Sequence, residues 1–262
     1  MNLDLFPEYK TSTDRFIGTE QLFGSSYASI RAAHIAVIGL GGVGCWAAEA
    51  LVRSGVERIT LIDPDEVCIN NSNRQLQADS TSVGKAKVET LALRFKQINP
   101  DCQVTVVQEY LDESNVSELV SDSFDGVIDA IDSVLSKVVL IKECKKKNIP
   151  LVVCGAAGGI KNPSLVRTVD LNQTCNDALL AKMRKILRQK HSWPRGTEEF
   201  GVLSVSSSEK QQFASSQYCD PSIATGPIKA TCENGLGSVC FVTGAFGFQA
   251  AAAMVELMVR PK

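Results

Sequence analysis

Four glycines, Gly39, Gly41, Gly42 and Gly44, stand between an apolar run and a helical one. The run before them, HIAVIGL (34–40), is short and rich in β-branched residues, as in a parallel strand buried on both faces. The run after them, CWAAEALVRSG (45–55), ends on Gly55, a C-cap residue. Glycines at such a junction make a phosphate cradle. Without side chains the backbone approaches the phosphates, and the helix N-terminus offers free N–H groups and the positive end of its dipole. Asp63 ends the next apolar run, RITLID (58–63), about 20 positions further on, where a carboxylate meets ribose hydroxyls. A tight turn without a ligand is the competing reading. The motif alone does not choose between ATP and NAD. A dehydrogenase needs a proton donor or acceptor beside the nicotinamide. The chain has two histidines, His34 at the start of a strand and His191 in an irregular stretch, which weakens the redox reading.

A second group of polar residues follows. The loop PDEVCINNSNRQLQ (64–77) carries Asp65, Asn70, Asn73, Arg74 and Gln75, and the helical run 83–98, stopped by Asn99-Pro100, carries Lys85 and Lys87. FDGVIDAID (124–132) reads as a strand and its exit loop, ending in Asp129 and Asp132. In a doubly wound sheet the C-terminal strand ends meet at one crevice. Arg74, Lys87 and Asp132 can therefore face one triphosphate, the cations neutralising departing pyrophosphate and Asp132 holding Mg2+. Adenylation needs no protein nucleophile, because positioning and charge stabilisation carry it. The competing readings are a solvated helix face for Lys85 and Lys87 and a helix N-cap for Asp132.

The elements that must position these residues alternate strand and helix from residue 34 to about 160. The fold class is therefore α/β, a Rossmann-like, doubly wound, mostly parallel sheet. Further strands are expected at 103–110 and 150–159, with helices at 113–121 and 134–148. Beyond 160 the alternation stops, leaving a C-terminal extension. It comprises a possible antiparallel edge strand (165–171), a basic helix (177–190), a long irregular loop (191–235) and an apolar helix (238–259). The last is long enough to raise a membrane span, but Gln249, Glu256 and its small residues favour a buried or dimer-interface helix.

Bulk properties narrow the classes. The 262 residues are 44% hydrophobic and 21% charged with net charge −2, so a core of its own is expected and a whole-surface basic field is excluded. RNA contact would need a local patch, which Lys182, Arg184, Lys185, Arg188, Lys190 and Arg195 could supply, unless they are one solvated helix face. Trp193 and Phe200 are the nearest aromatics for base stacking. The nine cysteines include no C-x-x-C pair, which argues against a two-pair zinc site. MNLDLFPEYK lacks the apolar core of a signal peptide, so a cytoplasmic setting with reduced thiols is expected.

As an ordered set, GLGGVG (39–44), LIDPDEV (61–67), NSNRQ (71–75), GKAKVE (84–89), INP (98–100) and DAIDS (129–133) resemble the ubiquitin-activating-enzyme-like superfamily of adenylating enzymes. The resemblance implies ATP binding by the glycine loop and Asp63, phosphate contacts from Asn73, Arg74 and Lys87, and a tie of Asp132 to Mg2+ and catalysis. Arg15, within DRFIGTEQLFG (14–24), stands where an arginine of one subunit commonly reaches the ATP of its dimer partner. RFIGTEQLFG, VIDAIDSVLSK (127–137), CGAAGG (154–159) and GSVCFVTGAFGF (237–248) extend the resemblance to the tRNA threonylcarbamoyladenosine dehydratases over nearly the whole chain. VSSSE (205–209) departs from that family, which tends to carry an aromatic before the serine. Cys232, in KATCENGLGS (229–238), matches a position where relatives often carry Cys. It could accept an acyl or sulfur group, which would bring in a sulfur-transfer or cysteine desulfurase partner, or it could be an inert thiol.

The implied reaction is ATP-dependent dehydration of threonylcarbamoyladenosine beside the tRNA anticodon, by a homodimer. The implied division is an N-terminal dimer-contact segment (1–33), an ATP-binding adenylation domain (34–160) and an extension (161–262) for tRNA and dimer contacts. Two rivals remain: adenylation of a ubiquitin-like or sulfur-carrier protein C-terminus, and a nucleotide-binding interaction protein or NAD-dependent oxidoreductase.

Overall fold

A computed structural model describes residues 15–212 and 236–260. Its strands are β1 (His34–Ile38), β2 (Arg58–Ile62), β3 (Gln103–Val107), β4 (Gly126–Asp129), β5 (Leu151–Cys154), β6 (Val166–Asp170) and β7 (Leu203–Ser207). They form one sheet in the order β3-β2-β1-β4-β5-β7-β6. All pairs are parallel except the antiparallel β6–β7 pair at one edge. The order reverses between β1 and β4, so the crevice at their C-terminal ends is the switch point where this architecture takes ligands. The expected α/β, Rossmann-like, mostly parallel sheet is the fold observed.

The helices are α1 (Ile17–Phe23), α2 (Tyr27–Ala32), α3 (Gly44–Arg53), α4 (Lys87–Ile98), α5 (Val116–Leu119), α6 (Val134–Lys146), α7 (Ala178–Lys190) and α8 (Cys240–Val259). The strands are apolar on both sides because both faces are covered. Ile35, Val37, Ile59, Leu61 and Ile128 pack with residues of α3, α4 and α8, while Ala36, Ile38, Ile62 and Val127 pack with residues of α6 and α7.

The long apolar helix α8 is a core element. It lies against α3, and at Gly247 the two backbones come so close that an added Cβ would sit 2.6 Å from the Val43 carbonyl oxygen and 2.7 Å from Trp46 Cβ. At Gly126 a Cβ would collide with Met254, so α8 also presses on β4. Phe246 and Met254 are fully buried, each burial contributing about 1.5–3 kcal/mol. Of its most apolar window 56% is buried, as befits a core helix.

Three expectations change. The helix expected over 83–98 starts at Lys87, so Lys85 lies outside it. Residues 84–86 instead follow the loop after β2: Gly84 N–H donates to Val67 O, Val67 N–H to Lys85 O, and Glu66 bridges Ala86. Within the region expected to be irregular, 203–207 is β7, so VSSSE is partly strand. Its three serines conceal it, since they make a weak apolar pattern for a strand that β5 and β6 bury from both sides. Residues 213–235, with Cys232, lie outside the described residues. Ser133, not Asp132, caps α6, its Oγ accepting from Ser136 N–H. The edge strand β6, the basic helix α7 and the terminal helix stand close to where the pattern placed them.

Burial pushes the thiols of Cys45, Cys144 and Cys154 up to about 12 and that of Cys102 to about 11. Cys68 and Cys240 are exposed. Iodoacetamide in mildly alkaline buffer should modify Cys68 and Cys240 and spare those four until the chain unfolds, as read by peptide mass spectrometry. Fast labelling of Cys45 in the folded chain would contradict its buried place in the first turn of α3.

Candidate active site

The site is built from strand ends. Gly39 follows β1 with φ +86°, a left-handed conformation, and a Cβ there would sit 2.7 Å from the Ala130 backbone. A Cβ on Gly44 would overlap the Gly39 carbonyl oxygen. These two glycines therefore let the loop fold onto itself and onto the exit of β4. Gly41 differs, since a Cβ there would meet nothing within 4 Å. It borders open space, as a cradle needs. N-cap Val43 gives α3 no side-chain cap, and of the first-turn amides Cys45 N–H already donates to Gly41 O at 3.3 Å, so the helix start is closed only in part by its own backbone.

Asp63 is buried at the end of β2 and works as a clamp. Its Oδ2 accepts from Leu40 N–H at 2.5 Å and its Oδ1 from Asp65 N–H at 2.9 Å. Burial pushes its carboxyl above the usual carboxylate range, while Lys87 and the two amides pull the other way. Lys87, at the start of α4, is only 5% exposed. Its Nζ lies 2.8 Å from Asp65 Oδ2 and 3.8 Å from Asp63 Oδ1. One lysine thus joins the loop after β2 to α4 directly below the glycine loop.

Arg74 lies over the other side of the cradle, its Cγ 3.3 Å from where a Gly42 Cβ would be. Its Nη1 donates to Asn70 O at 2.8 Å and to Asn73 Oδ1 at 2.9 Å. Its backbone is held from two helices: Trp46 Nε1 and Thr243 Oγ1 both donate to Arg74 O. Asn73 Nδ2 donates to Ser238 O, just before α8. Gln75 is buried and accepts from Gln77 Nε2, which also donates to Leu40 O.

The β4 exit separates the two aspartates expected there. Asp132 is exposed on the loop. Asp129, expected among nucleotide contacts, is instead fully buried and paired with fully buried Lys137 at 2.9 Å. Its Oδ1 also accepts from Ile131 N–H. Burial pushes its carboxyl upward, opposed by Lys137. The pair holds the turn that presents Asp132, so Asp129 acts from behind the site. Among the described residues no cluster of three or more His, Cys, Asp or Glu side chains could hold a metal. Exposed Asp132 offers a single carboxylate, the kind of donor that Mg2+ carried mainly by phosphate oxygens would take.

Arg15 does not join this crevice. Its Nη1 is 3.5 Å from Ile98 O, at the far end of α4 from Lys87, about 17 Å along the helix at 1.5 Å per residue. Lys85 is exposed outside the helix. Of the basic residues on α7, Arg184 and Arg188 are half-buried and bonded to backbone carbonyls, and Lys182, Lys185 and Lys190 are exposed, as is Arg195 beyond the helix. Trp193 and Phe200 are not free for bases: they pack edge to face at 4.8 Å, and Phe200 is buried.

Residue type and spacing do not single out Lys137, Gln77, Trp46 or Asp177. A lysine in the apolar run VLSKVVLI was the one available signal, pointing to a buried partner on the preceding strand. Asp177 caps α7 through Leu180 N–H and also accepts from Ala156 N–H beyond β5.

The ThiF family model matches residues 13–259. The chain is 42% identical over 250 residues to the tRNA threonylcarbamoyladenosine dehydratase of Escherichia coli, covering 94% of this chain and 93% of the relative. It is 37% identical over the full length of the protein of that name from Haemophilus influenzae. The structure of the E. coli enzyme in complex with ATP superposes with a TM-score of 0.84 at 40% identity, covering 94% of each chain.

The two kinds of loop glycine should separate experimentally. Gly41→Ala should hold stability within about 0.5 kcal/mol while weakening ATP binding, whereas Gly44→Ala should destabilise the fold by about 1–3 kcal/mol. Urea unfolding and calorimetric ATP titration measure both, and equal stability losses would remove the distinction. Lys137→Met should cost about 3–5 kcal/mol by leaving Asp129 buried without its partner, and adding Asp129→Leu should recover much of that. A neutral single variant would show that the pair does not hold the turn.

Proposed function

The chain belongs to the ThiF family, and on that footing we propose that it is an adenylate-forming enzyme that dehydrates threonylcarbamoyladenosine in tRNA. The observation that carries this is the near full-length match to dehydratases of that name, one of them solved with ATP. The rival protein-tail and redox activities have no comparable support. ATP lies across the switch point, with its phosphates over Gly41 and the first turn of α3 and its ribose toward Asp63.

The threonylcarbamoyl carboxylate attacks the α-phosphorus and pyrophosphate leaves, giving an acyl-adenylate. An atom of the urea group then attacks the activated carbonyl, loses its proton, and expels AMP. The nucleoside has lost one water, and its carboxylate oxygen has left with AMP. A free carboxylate is a poor acyl donor, which is why the step needs ATP.

The chain's residues supply positioning and charge. Arg74 and Lys87 offset the charge that develops as pyrophosphate departs. Lys87 must first exchange Asp65, whose side chain is 63% exposed and free to swing aside, for a phosphate oxygen. Asn73 orients Arg74 through its Oδ1. Asp132 is the carboxylate for Mg2+, which when bound would neutralise phosphate charge. Arg15 points away from its own crevice, a placement suited to reaching the ATP of a second copy in a homodimer, with residues 1–33 as part of that contact. The extension from 161 onward takes the tRNA, and the setting is cytoplasmic.

Incubation with ATP, Mg2+ and threonylcarbamoyl-modified tRNA, followed by nucleoside mass spectrometry, should show an ATP-dependent loss of one water. Asp132→Ala should lower turnover by at least about 100-fold with an unchanged melting curve. An unchanged nucleoside from protein that binds ATP would sink the dehydratase reading, and wild-type rates in the variant would remove Asp132 from the site.

A further inference from the structure

A concavity of about 400 Å³ opens on the outer side of α7, lined by Ala181, Arg184, Lys185, Arg188, Gln189 and Arg195. Four of the six are cations and none is acidic. Among the described residues none of the four has an ion-pair partner, in a chain whose net charge is −2. The positive charge is therefore local and without an ion-pair partner, while the Asp177 carboxylate at the start of α7 acts on Arg184 from a distance.

Two of the cations are held in place. Arg184 Nη1 donates to Leu171 O at 3.3 Å and to Thr174 Oγ1. Arg188 Nε donates to Pro194 O at 3.1 Å, its Nη2 bonds Asn172 Oδ1, and its guanidinium lies 5.4 Å from the centre of the Phe200 ring. These bonds use only part of each five-donor fork. Burial, then the like charge of Arg188, lowers the Arg184 guanidinium from its ordinary value. An anion would offset the repulsion between the two guanidinium groups. Lys185 and Arg195 are exposed at the same concavity and can close on a ligand.

The lining suits phosphate rather than base. The nearby rings are engaged, since Trp193 packs edge to face on Phe200 and carries Lys145 Nζ 4.5 Å from its ring centre. The position suits a strand running from the crevice. Asp177, which caps α7, bonds Ala156 just beyond the C-terminal end of β5, on the same edge of the sheet as the glycine loop. From Asp177, Arg184 and Arg188 lie about 11 and 17 Å along the helix at 1.5 Å per residue.

We propose that this concavity docks phosphates of the tRNA flanking the modified nucleotide, fixing the RNA backbone while the crevice takes the base. The proposal rests on the dehydratase reading for its choice of RNA. Backbone contacts of this kind position without reading sequence, and each released counterion adds to the salt dependence of binding.

The test is Lys185→Ala/Arg195→Ala, which spares the two anchored arginines, against Lys146→Ala/Arg260→Ala, an equal charge loss at other exposed positions. The concavity variant should raise KM for modified tRNA about tenfold with kcat nearly unchanged, and lower the slope of log Kd against log salt by about 1–2. Its calorimetric affinity for ATP should match wild type, and the control pair should show neither effect. Wild-type KM and salt slope in the concavity variant would overturn the proposal, as would an equal change in the control. If wild-type protein never dehydrates the RNA, the dehydratase reading fails. The salt slopes for unmodified tRNA then still decide the concavity, with equal slopes in variant and wild type, or no binding by wild type, counting against it.

Discussion

The Asp63 carboxylate is the constraint on which the site depends. A glycine loop gains its close approach to phosphates by giving up side chains, so something outside the loop must fix its backbone. Asp63 does so by accepting from Leu40 N–H at the start of the loop and from Asp65 N–H just after β2. Lys87 stands beside both carboxylates and brings the start of α4 into the same knot. Such a group is costly to bury without its partners. The partners here come from the loop, the strand and the helix that must keep register for a nucleotide to fit.

The buttress behind the knot comes from the far end of the chain. Gly247 lets α8 approach α3 at backbone distance, and Thr243 and Ser238 take hydrogen bonds from or give them to the Asn73–Arg74 segment. The extension therefore braces the Asn73–Arg74 segment and α3 from the far end of the chain. The close packing also accounts for the apolar composition of α8 without a membrane, because its small residues face helix and sheet.

Charge is divided between hidden and open positions. Asp129 and Lys137 cancel one another inside the sheet edge and stiffen the β4 exit, which leaves Asp132 solvent-facing. On α7 the reverse holds, with four cations gathered around a concavity and, among the described residues, no ion-pair partner for any of them. A nearly neutral chain can thus keep Lys87 paired between Asp63 and Asp65 at the crevice while leaving the cations of the α7 face without ion-pair partners.

The sequence by itself determined the parallel core, because buried strands are short β-branched runs that alternate with longer helical ones. It also determined the cradle and the ordered set of polar residues at the strand ends, since those depend on residue type at fixed spacing. It could not separate Asp129 from Asp132, three positions apart and chemically identical, because only the sheet decides which one faces Lys137. It hid β7, whose serines are buried by neighbours far away in the chain, and it placed Lys85 on a helix that the loop after β2 delays to Lys87. Tertiary structure alone set the depth of Lys87, turned Trp193 and Phe200 onto each other, and gathered Arg184, Lys185, Arg188 and Arg195 around one hollow. Burial and the pairing of charges are properties of neighbours in space, and local sequence records only the neighbours in line.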